Sequence, residues 1–106
     1  MAWVLLGVAG VLEVIWAYGM KQSGGFTRPL ASAITVAAMI ASIVLLAISM
    51  KTLPLGTAYL VWTGIGAIGA FAVGVLVLGE PVNAGRMLAA VLVIAGIVLM
   101  KLSTPA

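Results

Sequence analysis

The chain has 106 residues, of which 65% are hydrophobic and 7% charged: five Lys or Arg, two Asp or Glu, no His and no Cys. A soluble domain carries about 25% charged residues, so this composition excludes a soluble domain, and with it a disordered chain, a nucleic-acid binder and a disulfide scaffold. Without His or Cys there is no His/Cys metal centre and no thiol or imidazole catalyst, which leaves a small membrane protein.

The charges are Glu13, Lys21, Arg28, Lys51, Glu80, Arg86 and Lys101. A spanning helix needs roughly 20 mostly apolar residues; residues 29–50 and 52–79 carry no charge, and hydropathy predicts four spans, about 2–20, 29–50, 55–79 and 83–101. Residues 1–106 thus read as a single all-α, four-helix transmembrane domain. Span 1 lacks a basic leader and contains Glu13, so it reads as a helix and not as a cleaved signal peptide. The connections KQSGGFTR, KTLP and GEPVN are short and rich in Gly and Pro, with Pro29 suited to the first turn of span 2. They leave no room for an extramembrane domain, so the protein acts within the bilayer.

In span 1, Glu13 lies near the middle. An intramembrane acid is costly and is a functional-site hypothesis by default. Burial favours its protonated form and a bound cation its ionised form, which is the minimum chemistry of a proton-coupled cation exchanger. The competing reading is a permanently protonated Glu bonded between helices. Residues three and four away share its face: Gly10, Ala9 and Ala17, which allow a cavity or close approach, and Trp16. The Trp16 indole offers one N–H to a carboxylate and a π-face to a cation. Trp3 fits the ordinary place of Trp at a membrane interface.

Span 2 carries Thr35, Ser42 and Ser49, seven apart and therefore on one face. Helix–helix hydrogen bonding accounts for Thr35 and Ser49; Ser42 lies at the depth of Glu13 and is a candidate partner for that carboxylate. In span 3, Tyr59 and Trp62 face the same way, with Thr63 and Gly66 on the adjoining turn. The density of glycine in GIGAIGA, with Gly64 and Gly66 at its start, suggests a hinge between two rigid halves. Glu80, between Gly79 and Pro81, reads as a solvated loop residue. In span 4, Arg86 lies in the first turn and can snorkel. Beyond it the span has no mid-membrane polar group, and Ala89, Ala90, Ala95 and Gly96 mark a dimerisation surface.

Loops 1 and 3 share one side with Lys21, Arg28 and Arg86; loop 2 and the tail share the other with Lys51 and Lys101. Three against two is almost no bias, so the orientation preference is weak. Insertion in both orientations and a fixed topology set by other details both stay open. One small bundle with one acid and no internal duplication is half of what an inverted-repeat transporter needs. A second copy inserted upside down would supply the other half, and two close Glu13 carboxylates would titrate as a coupled pair.

Three segments together, GVLEVIWAYGMKQSGGFTR, SMKTLPLGTAYLVWTGIGAIGA and GIVLMKLS, resemble the small multidrug resistance (SMR) family, and within it the guanidinium-exporter (Gdx, formerly SugE) branch. The resemblance covers essentially the whole chain. It implies a dual-topology antiparallel homodimer in the bacterial inner membrane, performing efflux by proton antiport with no cofactor. It implies that Glu13 binds both proton and cation, that Gly10, Trp16 and Ser42 surround or hydrogen-bond it, that Tyr59 and Trp62 line the site, that the glycine-rich part of span 3 bends, and that span 4 dimerises. Gly10, Trp16, Met39, Ala67 and Lys101 all resemble the guanidinium branch rather than the multidrug branch. Leu60 departs from it, being larger than the small residue expected after the Tyr, and bears on substrate breadth.

The reading is then a proton-coupled exporter of guanidinium and small guanidinyl cations, not an enzyme, whose partners are those cations, protons, the lipid bilayer and a second copy of itself. The alternatives are a broader exporter of quaternary ammonium or lipophilic cations, a structural or regulatory membrane subunit, and a proton or cation channel.

Overall fold

The computed structural model describes residues 1–104. Four helices follow one another: α1 (Ala2–Gln22), α2 (Pro29–Ser49), α3 (Leu55–Leu76) and α4 (Ala84–Ser103). At about 1.5 Å per residue, each of their 20 to 22 residues' length reaches the roughly 30 Å of a bilayer's hydrocarbon core. All four are long and apolar enough to cross a membrane. The chain is an all-helical, multi-pass membrane protein.

Local chemistry sets the ends. Ser23, fully buried, closes α1: its hydroxyl donates to the Met20 carbonyl (2.7 Å) and accepts from the Phe26 N–H (2.9 Å). Gly24 and Gly25 then take left-handed backbone angles, and Phe26 follows them at φ 65°, a conformation that costs a bulky L-residue energy. Pro29 opens α2 where its missing N–H is not needed. Asn83 caps α4 by accepting from the Arg86 N–H at 2.9 Å. The third helix stops at Leu76, three residues short of the span expected from hydropathy. There the N–H groups of Leu78 and Glu80 fold back onto the carbonyls of Val73 and Gly74, a wrap that needs the positive φ of Gly79 (70°).

The packing order across the molecule is α2, α1, α3, α4. Helix α1 packs on α2 and α3, while α4 packs mainly on α3. The result is a slab of 43 × 35 × 16 Å, little thicker than one helix with its side chains. Its core, Leu6, Ala9, Leu46, Leu53, Ala58, Val61 and Trp62, lies where α1, α2 and α3 meet.

The polar stripe of α2 is buried against α1 along its whole length. Thr35, Ser42 and Ser49 are all fully buried. The Thr35 side chain fills the space over Gly19, Ser42 bonds the Ala9 carbonyl, and Ser49 lies 3.4 Å from the Ala2 carbonyl. Helix α4 has no buried residue and touches the rest through a few side chains. Lys101 lies over the Trp3 ring (5.1 Å), and Thr57 of α3 meets Thr104 at 3.4 Å.

Candidate functional site: a carboxylate between α1 and α3

Glu13 leaves α1 towards α3, and Gly66 is what admits it. A Cβ on Gly66 would stand 2.7 Å from the Glu13 Cγ and closer still to the carboxyl group. The same device sits on either side: a Cβ on Gly10 would strike the Ile65 side chain and one on Gly69 the Val14 side chain. Small residues on both helices therefore bring the two backbones close and leave the acid in the seam.

Glu13 Oε1 is buried and has no hydrogen-bond partner among the described residues, and the same holds for Trp16 Nε1. A buried polar group without a partner costs about 1–3 kcal/mol, so two of them within one helical turn mark a place built for something other than packing. No base neutralises the acid: Arg86–Glu80 is the one ion pair among the described residues.

Ser42 does not bond Glu13, contrary to the expectation from its depth. Its hydroxyl donates to the Ala9 carbonyl (2.6 Å) and accepts from Trp62 Nε1 (2.9 Å). Ser42 thereby ties α1, α2 and α3 together at a point one helical turn from Glu13. The α1 carbonyl takes the hydroxyl's one hydrogen, and the indole N–H uses one of its two lone pairs. Replacing Ser42 with Ala removes both bonds and strands the Trp62 N–H. At the modest worth of interhelical bonds in membranes, the expected loss is about 1–2 kcal/mol, read as a lower thermal midpoint of the detergent-solubilised protein. An unchanged midpoint would show the tie to be dispensable.

The tie continues to Tyr59, whose ring centroid lies 5.6 Å from that of Trp62. Tyr59 is 53% exposed and faces an apolar groove of about 810 Å³ between α3 and α4, which Leu60 and Thr63 also line. Trp16, partly buried, packs against the core cluster. The residues singled out from the sequence thus form two neighbouring groups: Glu13 seated on Gly66, with Gly10 and Trp16 on the Glu13 face of α1, and the Ser42–Trp62–Tyr59 chain.

Gly64 and Gly66 face opposite ways. A Cβ on Gly64 would crowd Ile97 of α4, at 2.7 Å from its Cδ1, whereas Gly66 faces Glu13 of α1. The helix runs unbroken through both. The seating role of Gly66 was not read from the sequence, although the small residues Gly66, Ala70 and Gly74, four apart, were a signal for it.

Glu80 is not simply solvated. Its Oε1 meets Arg86 Nη2 at 3.4 Å, with the two side chains 44% and 39% exposed. The Arg86 guanidinium also lies over the Phe71 ring at 5.3 Å. At that exposure the ion pair is worth well under 1 kcal/mol.

Comparison with known proteins agrees with this architecture. A family-wide profile described as "Small Multidrug Resistance protein" matches residues 1–94. The guanidinium exporters of Citrobacter freundii and Salmonella typhimurium are each 56% identical over 104 residues, covering 98% of this chain and 99% of theirs. The guanidinium exporter of Escherichia coli K12 is 54% identical over the same coverage. Because the match takes in all of α1 to α3, and with them the whole seam that holds Glu13, the chain belongs to the small multidrug resistance family.

Proposed function

We propose that this protein is a proton-coupled exporter of guanidinium and small guanidinyl cations, acting by alternating access in the bacterial inner membrane. The observation that carries the reading is the buried, unpartnered Oε1 of Glu13 in the α1–α3 seam. A lone carboxylate there has two ways to be satisfied: take a proton, or pair with a cation that brings its own N–H donors. Guanidinium is planar, presents parallel N–H pairs and fits a carboxylate bidentately. Proton and cation then compete for one group, and competition at a single site is sufficient for exchange. The names of the end-to-end relatives support the same substrate.

In this reading Gly10 and Trp16 bound the cation on the α1 side, and Ser42 and Trp62 hold the three helices in register around it, with Tyr59 at the edge. The working unit is an antiparallel homodimer of dual topology. Three features support it: the near-even loop charges, a slab too thin to enclose a site, and a fourth helix with no buried residue. Gly64 and Gly66 serve as the hinge. Since one contacts α4 and the other α1, a bend between them moves the carboxylate seam relative to the α4 contact.

Substrate-evoked currents in proteoliposomes test the reading. Guanidinium is expected to give a robust current and tetrapropylammonium little or none. The reverse ranking would move the protein to the export of bulky lipophilic cations, and silence for both in folded, dimeric protein would leave an accessory membrane subunit.

A further inference from the structure

Both acids of the chain rest on one stripe of α3. Gly66 seats the carboxylate of Glu13, and Gly74 seats that of Glu80: a Cβ on Gly74 would stand 2.7 Å from the Glu80 carboxyl carbon. Ala70 lies midway between them. Eight residues separate the two glycines, about 12 Å along the axis. The facing row of α1, Glu13, Ala17 and Lys21, is spaced four by four as well. Beyond the Glu13–Gly66 contact, from Val14, Ala17 and Ala70 up to Lys21 and Glu80, runs a narrow cleft of about 160 Å³, room for roughly five water volumes.

Glu80, at one end of this cleft, already pairs with a guanidinium group, that of Arg86 from the neighbouring α3–α4 side, and the pair is a loose one. Of the five N–H donors of Arg86, one reaches Glu80, at 3.4 Å. Its Nε is buried and has no partner among the described residues. The Arg86 guanidinium lies at the same time over the Phe71 ring, a contact that stays favourable for a cation when the carboxylate is given up. The guanidinium group can therefore leave Glu80 without being stranded.

We infer that Glu80 is an outer docking carboxylate for guanidinium-type cations, occupied by the Arg86 side chain when no cation is there. A cation moving between Glu13 and the loop face exchanges with Arg86 on Glu80, one guanidinium group for another. Lys21 lines the same cleft as Glu80 and Arg86 pairs with Glu80 from the α3–α4 side, so two basic groups attend one acid. That balance makes it a place of transit and not a trap. The inference rests on the exporter reading.

The test uses the full chain in proteoliposomes, with labelled guanidinium uptake fitted for KM and maximal rate in wild type, Glu80→Gln, Arg86→Gln and the double variant. A half-exposed carboxylate–cation contact supports effects of about two- to fivefold. Glu80→Gln is expected to raise KM by that factor, with the change in KM larger than any in maximal rate. Arg86→Gln frees Glu80 and is expected to lower KM. The double variant should follow Glu80→Gln. A clip that merely joins the end of α3 to α4 predicts instead that both single variants shift in the same direction. That result, or a KM unmoved in both, overturns the inference. If Glu80→Gln does not yield folded protein, the direction of the Arg86→Gln shift decides alone, since only a docking role predicts tighter apparent binding. Absence of uptake by wild type sinks the exporter reading itself and is told apart by that silence.

Discussion

Proteoliposomes carrying Glu13→Gln are expected to give no guanidinium-evoked current above protein-free vesicles, with the protein still folded and in the same oligomeric state as wild type. Gln has nearly the same shape as Glu, so the Gly66 seat still receives it. What it lacks is the charge. Hydrogen bonds to a charged group are worth about 1.5–3 kcal/mol each, and a bidentate pair makes two. Losing both lowers cation affinity by more than about a hundredfold. In the proposed exchange the proton is lost with the same atom, so no driving force would reach the cation. Stability should not suffer, because an acid inside a membrane costs energy that a neutral amide does not. A thermal midpoint at or above that of wild type is therefore part of the expectation. Undiminished current in this variant would remove Glu13 from the mechanism.

The sequence showed the fold because bilayer chemistry leaves few choices. Apolar runs of some 20 residues, two of them free of charge and two with charges near an end or a single acid inside, satisfy their backbone in lipid by coiling into helices. The α2 stripe was also legible, since Thr35, Ser42 and Ser49 repeat at two helical turns. The partners of that stripe were not. Depth along a helix axis says which groups share a level, not which way each turns around the axis. Ser42 shares a level with Glu13 yet turns to Ala9 and Trp62. Glu80 was misread for a related reason. A loop acid looks solvated until the loop's return path is known, and the path set by Gly79 brings it back onto Gly74. Gly66 was noticed as a source of flexibility. A glycine in a helix has two uses, bending and close approach, and only the position of the neighbouring helix tells them apart.

That second use of Gly66 yields the other large expected effect. Gly66→Ala places a methyl group where the Glu13 side chain now lies. The neighbour is the end of a flexible side chain, so the helices need not part; the carboxylate swings away instead. Ala is also the better helix former by about 1 kcal/mol, which offsets part of the strain. The thermal midpoint should fall only slightly. Transport should fall steeply, because a displacement of about 1 Å at a reacting group can cost on the order of a hundredfold. Gly69→Ala, three residues on in the same helix, provides the contrast. Its methyl group would meet Val14, whose branched side chain has few rotamers to retreat to. The expected cost is about 1–3 kcal/mol of stability, with guanidinium KM moved less than in Gly66→Ala. Each variant adds the same atom to the same seam, so if Gly66 served packing alone its loss of transport would track its loss of stability, as in Gly69→Ala. If Gly66→Ala keeps the wild-type KM, or if the pair loses stability and transport in equal measure, the seat is ordinary helix packing. If they separate as stated, the position of the Glu13 carboxylate, and not the closeness of α1 and α3, is what Gly66 contributes.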